Sequence, residues 1–167
     1  MTEEKAIEHL KSWGFGRPEI LKNSSTTIFN HLTYDPQPGL FLFSDKQEMG
    51  NGIIPLSGAL LMMLQKDLIK QEIRLIEIPE MLLQRFDEEI SELFRCEDSD
   101  LVIMNEIAPT KLNDNAILRI YTLINNRVKN KKKFVITSSL DLKEIIPFIG
   151  IPLAKLIKLN SVVLELK

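Results

Sequence analysis

Between an apolar run, Leu40–Phe43, and a helical pattern starting near Pro55 lies the loop Ser44-Asp45-Lys46-Gln47-Glu48-Met49-Gly50-Asn51-Gly52. A strand, a glycine-bearing loop and a helix in that order form the setting in which backbone amides cradle phosphates. There a Lys in G-x-x-x-x-G-K-[ST] reaches the outer phosphates, and the Ser or Thr holds magnesium. The setting is present and the contents are not. With the motif started at Ser44, its last three positions fall on Met49, Gly50 and Asn51; shifted by one they fall on Gly50, Asn51 and Gly52. Neither register supplies a cation. Lys46 sits inside the loop, ahead of the required position, and could meet a phosphate only by an unusual path.

A second polar pair follows the apolar run Leu101–Met104. Asn105-Glu106 stands where a phosphate-loop ATPase carries two acids, the first helping to hold magnesium and the second, in one large branch, activating water. Here the first is a neutral amide, which lacks the charge a hard, oxygen-seeking cation favours. The third polar tip is Thr137-Ser138-Ser139, after Phe134–Thr137, and it is expected beside the first loop.

These tips need elements to hold them. Apolar runs at Leu40–Phe43, Arg74–Ile78, Leu101–Met104, Phe134–Thr137 and Val162–Leu166 read as strands buried on both faces. Between them lie helical patterns. Pro55–Lys70 places Leu56, Leu60, Leu61, Leu64 and Leu68 on a stripe, and a helix from Pro79 does the same with Met81, Leu82, Phe86, Ile90, Leu93 and Phe94. A third, capped by Asn113 or Asp114, turns Ile117, Ile120, Tyr121, Ile124 and Val128 inward. Alternation of this kind predicts an α/β three-layer sandwich around a five-stranded parallel sheet. The 167 residues suit one domain: a helical, then irregular lead-in over 1–38, ending in the stiff Asp35-Pro-Gln-Pro38, and an α/β core over 39–167.

Composition excludes several classes of function. A formal net charge of −2 gives no global pull towards nucleic acid, and the single Cys96 allows neither an intrachain disulfide nor a Cys-based zinc site. The polar start and the charge-broken apolar runs predict neither a secretion signal nor a membrane span, hence a cytoplasmic protein. His9 and His31 show no ligand spacing, so no metal site is expected, and Trp13 with Phe15 reads as a packing anchor. Cys96, Ser138 and Ser139 lack the context of a nucleophile. Asp87, Glu88, Glu89 and Glu92 read as a solvated helix face. One patch, Arg127, Lys129, Lys131, Lys132 and Lys133, has the charge for phosphate contacts. Cations near a helix C-terminus, stabilised by the dipole and exposed to solvent, are the favoured reading of it, and no interleaved aromatics are there to stack on bases.

Taken in order, G-L-F-L-F, D-L-V-I-M-N-E-I and I-N-N-R…F-V-I-T-S-S-L-D-L-K-E-I resemble the AAA+ replication proteins of the DnaC/DnaI helicase-loader and IstB clade, with DnaA and Hda as near alternatives. The resemblance spans about Pro38 to Lys167 and is strongest from Asp100 to Ile145. It implies a P-loop NTPase-like core, here expected to lack the helical lid. It also implies that Ser139 takes the place of a sensor Asn, and that Lys155 or Lys158 is all that stands for a terminal arginine. With the Lys, the first acid, the sensor Asn and the arginine all changed, ATP or magnesium binding and turnover are expected to be lost. The expected function is therefore protein binding in replication or its regulation, by a monomer or a small complex. The alternatives are an unconventional ATPase using Glu106 and a nucleic-acid-binding module using the 127–133 face.

Overall fold

The computed structural model of the chain describes residues 1–16, 18, 22–70, 72–82 and 98–167. Strands β1 (Gly39–Phe43), β2 (Ile73–Glu77), β3 (Leu101–Asn105), β4 (Lys133–Ser138) and β5 (Ser161–Glu165) pair in parallel in the order β2-β3-β4-β1-β5. Each falls on a predicted run, shifted by a residue at most at either end.

Alternate side chains divide two cores. Leu40, Leu42, Leu101, Ile103 and Val135 join the layer of α1 (Glu3–Ser12), α2 (Lys22–Tyr34) and α3 (Ile53–Gln65). Phe41, Val102, Met104, Phe134 and Ile136 face the other layer, formed by α4 (Ile78–Met81), α5 (Asp114–Lys129), α6 (Ile146–Ile149) and α7 (Ile151–Asn160). The three-layer sandwich is thus present, and the lead-in carries two helices rather than one followed by irregular chain. Trp13 and Phe15 pack there as expected.

Helix ends depart from the sequence reading for a local reason. The helix expected to run to Lys70 stops at Gln65, because Asp67 takes a left-handed conformation at φ 54°. Its amide then donates to the Leu64 carbonyl and that of Leu68 to Met63, which closes the last turn without a glycine to announce it. Lys131 ends α5 in the same way. At the other end of α5, the Asn113 side chain accepts from the Ala116 amide at 2.8 Å and is the cap. Pro79 lies in the first turn of α4. The remainder of that predicted helix, with its acidic series and Cys96, lies outside the described residues. Among the described residues no helix is long and apolar enough to cross a membrane.

At Gly39 a Cβ would come within 2.3 Å of both the Phe134 ring and the Ser161 hydroxyl, so only glycine lets the turn from α7 into β5 close against β1. The chain leaves β1 for α3 on one face and leaves β4 for α6 and α7 on the other. Neighbouring strands whose successors diverge open a crevice at their carboxyl ends, where ligands bind in open α/β sheets.

Candidate functional site

The crevice is walled by the tips of β1, β3 and β4. At the first tip, the Ser44 amide donates to the Ser138 carbonyl at 3.2 Å and the Ser44 hydroxyl to the Leu166 carbonyl at 2.9 Å. The Lys46 amide returns to the Ser44 hydroxyl at 3.2 Å, which bends the chain at once into a tight turn, Gln47–Gly52. Inside it Gly50, Asn51 and Gly52 all have positive φ, at 51°, 57° and 102°. Glycine adopts this region without steric cost and Asn more readily than other residues, so Gly-Asn-Gly is the sequence the turn demands.

The turn is packed down onto the sheet. A Cβ on Gly52 would meet Leu42 Cβ at 3.0 Å and Leu166 Cδ1 at 3.2 Å, so the backbone lies directly on the ends of β1 and β5. Ile53 packs into the α1–α3 core and Met49 is half-buried, while Lys46 is exposed. Asn51 Nδ2 reaches across the crevice to donate to Glu106 Oε1 at 3.1 Å. That bond joins the loop after β1 to the polar pair at the end of β3.

Asn105 is held on both ends of its amide. Its Nδ2 donates to Glu77 Oε2 at 2.7 Å, and its Oδ1 accepts from the Thr137 hydroxyl. Thr137 in turn accepts from the Glu106 amide at 3.1 Å. Glu106 has φ 61°, a left-handed conformation that costs a non-glycine residue about 1–2 kcal/mol. Thr137 belongs to the polar tip expected there, whereas Glu77 was not singled out in the sequence. The signal was the register, since Glu77 pairs with Asn105 at the matched ends of β2 and β3, and a register is not written in either strand alone. Buried Ser138 accepts from the Leu140 amide at 3.0 Å, and Ser139 beside it is half-buried.

The basic run lies at the opposite end of the sheet. Arg127, expected on an exposed face, is instead 1% exposed. Its Nε and Nη2 donate to the Lys133 carbonyl at 2.9 and 2.8 Å, and Nη2 also to Ser99 at 2.9 Å and Asp100 at 3.1 Å. The reason is geometric: α5 ends just where β3 and β4 begin, and a planar fork of donors satisfies several carbonyls at once. Lys133 Nζ donates to the carbonyls of Asp35 at 2.6 Å and Gln37 at 2.8 Å, pinning the Pro-bounded lead-in to β4. Burial lowers its pKa, opposed by the nearby Asp35. Lys129 and Lys131 are exposed, and half-buried Lys132 faces Asp98 at 3.9 Å.

His31 Nδ1 lies 3.1 Å from Asp35 Oδ2, a pairing missed in the sequence although Asp35 follows four residues on, just past the end of α2. The Gln37 amide above all, and then His31, hold the Asp35 carboxyl below its usual range. His9 stacks edge-on with Trp13. Among the described residues no group of three or more His, Cys, Asp or Glu could hold a metal.

No protein-family model matches the sequence, and no curated protein matches it. Solved structures do share its fold. A DnaC helicase loader superposes with a TM-score of 0.64 at 19% identity, over 98% of this chain and 99% of that one. DnaI gives 0.65 at 12% identity over 100% and 92%. The replication initiator DnaA, bound to AMPPCP and single-stranded DNA, gives 0.66 at 10% identity, over 95% of this chain and 50% of the DnaA chain. These are AAA+ P-loop proteins, and the fold of this chain is theirs.

Proposed function

We propose that the chain is a non-hydrolysing AAA+-fold protein that acts in DNA replication or its regulation by binding another protein: a helicase, an initiator or an ATPase relative. The observation that carries this reading is the Asn51–Glu106 bond. It ties the turn to the residue that would have to activate water, in a crevice whose phosphate-loop cation is absent from the sequence. Asn105, bonded to Glu77 and Thr137, supports the same conclusion: a magnesium ion there would meet an amide already bonded at both ends. Replication enters through the shared fold with loaders and initiators. The cytosol is where such a protein works, and a monomer or small complex suits a site that no nucleotide bridges.

Phosphate release tests it. With ATP and magnesium, the wild type and Glu106→Gln are expected to give the same background rate. A wild-type rate that falls in Glu106→Gln would instead establish the unconventional ATPase.

A further inference from the structure

Among the described residues no strand pairs with the outer edge of β5, which offers a second surface that the crevice does not use. The Leu166 amide donates to the Phe43 carbonyl at 2.9 Å. In a parallel strand, amide and carbonyl of a residue point the same way and alternate along the chain. Val162, Leu164 and Leu166 therefore address β1, while Ser161, Val163 and Glu165 turn their backbone groups outward from the last strand of the sheet.

Both flanks of that edge are furnished. On one side Val162 and Leu164 pack towards the α1–α3 core, so Val163, 41% exposed, and Glu165, whose carboxylate is paired with Lys167 at 3.5 Å, lie on the α7 side. There α7 presents Ile151 at 69% and Leu159 at 65% exposure, interleaved at helical spacing with exposed Lys155 and Lys158, and it contains no acid. On the other side a cavity of about 130 Å³ lies between β5, from Leu164 to Lys167, and the Asn23, Ser24 and Thr27 face of α2.

We infer that β5 accepts an extended segment of a partner protein as a sixth strand, with acidic side chains on its α7 side and small polar or β-branched ones on its α2 side. Main-chain bonds to Ser161, Val163 and Glu165 would supply affinity, and the alternating flanks would supply choice. A second copy of this chain fits less well. Two β5 edges related by a two-fold axis would bring two acid-free α7 helices side by side, Lys155 and Lys158 with their equivalents, and like charges across an interface disfavour the pairing. The inference rests on the reading that the chain works by binding a partner. It is tested without nucleotide, so that ATP turnover, if found, would overturn that reading and leave the peptide result standing.

The probes are two labelled peptides, one alternating Glu with Thr and one alternating Lys with Thr, followed by fluorescence anisotropy. The acidic peptide is expected to bind the whole chain and the basic one not. Binding should weaken with added salt, and by about tenfold in the doubly substituted Lys155→Glu/Lys158→Glu chain, whose changes lie on an exposed helix face. Val163→Pro removes one outward amide that β1 does not use and should abolish binding while leaving the sheet intact. Equal binding of the two peptides, or a Lys155→Glu/Lys158→Glu chain that binds as the wild type does, would overturn the assignment. So would sedimentation showing a wild-type dimer that Val163→Pro dissolves, since the edge would then belong to a second copy.

Discussion

The two ends of the sheet handle charge in opposite ways. At the amino ends, Arg127 and Lys133 are bound by main-chain carbonyls and brace β3, β4 and the lead-in against one another. At the carboxyl ends, where phosphates would need cations, the polar groups are amides, hydroxyls and the carboxylates of Glu77 and Glu106, joined mostly to one another. The chain therefore uses Arg127 and Lys133 for cohesion, while at the crevice side-chain amides answer Glu77 and Glu106. A cation that satisfies several carbonyls is structural by construction, and an amide that answers a carboxylate removes the charge a metal would need.

The sharpest way to break the contrast is at the amino ends. Arg127→Met should cost about 3 kcal/mol, because the Ser99, Asp100 and Lys133 carbonyls would lose a charged donor in a buried setting. Urea unfolding measures it, and a loss below about 1 kcal/mol would mean that these carbonyls find other partners. Lys133→Met should follow with a loss of about 1–2 kcal/mol, since the lead-in keeps its own Asx turn from Asp35 to Gln37.

The carboxyl ends respond differently. Asn105→Asp, which restores the acid of the ATPase motif, should destabilise by about 1–2 kcal/mol because Glu77 loses its donor and faces a second carboxylate. Adding Glu77→Gln should recover most of that loss. Additive effects in this double-mutant cycle would show that Asn105 and Glu77 are not coupled. The smallest effect concerns pH. Because the Asp35 carboxyl is held below its usual value of 3.8, its contribution is present above that pH and lost as pH falls through the lowered value. Asp35→Asn should flatten only that acid limb of the stability curve.

The α/β architecture was legible because buried parallel strands are runs of Leu, Ile, Val and Phe, and those runs, such as Leu101–Met104, hardly depend on their neighbours. Ends that rest on a non-glycine residue in the left-handed region, at Asp67 and Lys131, were not. The loop and Asn105 were found as departures from a motif and Glu106 as its remaining acid, so their importance was visible while their partners were hidden. Asn51 and Glu106 are distant in the chain, and Glu77 meets Asn105 only through strand register. Arg127 shows the reverse error. Read along the chain it belongs to a basic run, yet its position in the last turn of α5 aims it at carbonyls from two other segments.

Titration of the wild-type chain with ATP and magnesium by isothermal calorimetry tests the central claim, that the carboxyl ends no longer hold a nucleotide. No saturable heat tighter than about 100 µM is expected. Saturable binding below that value, weakened by Asn51→Ala or Lys46→Ala, would contradict it.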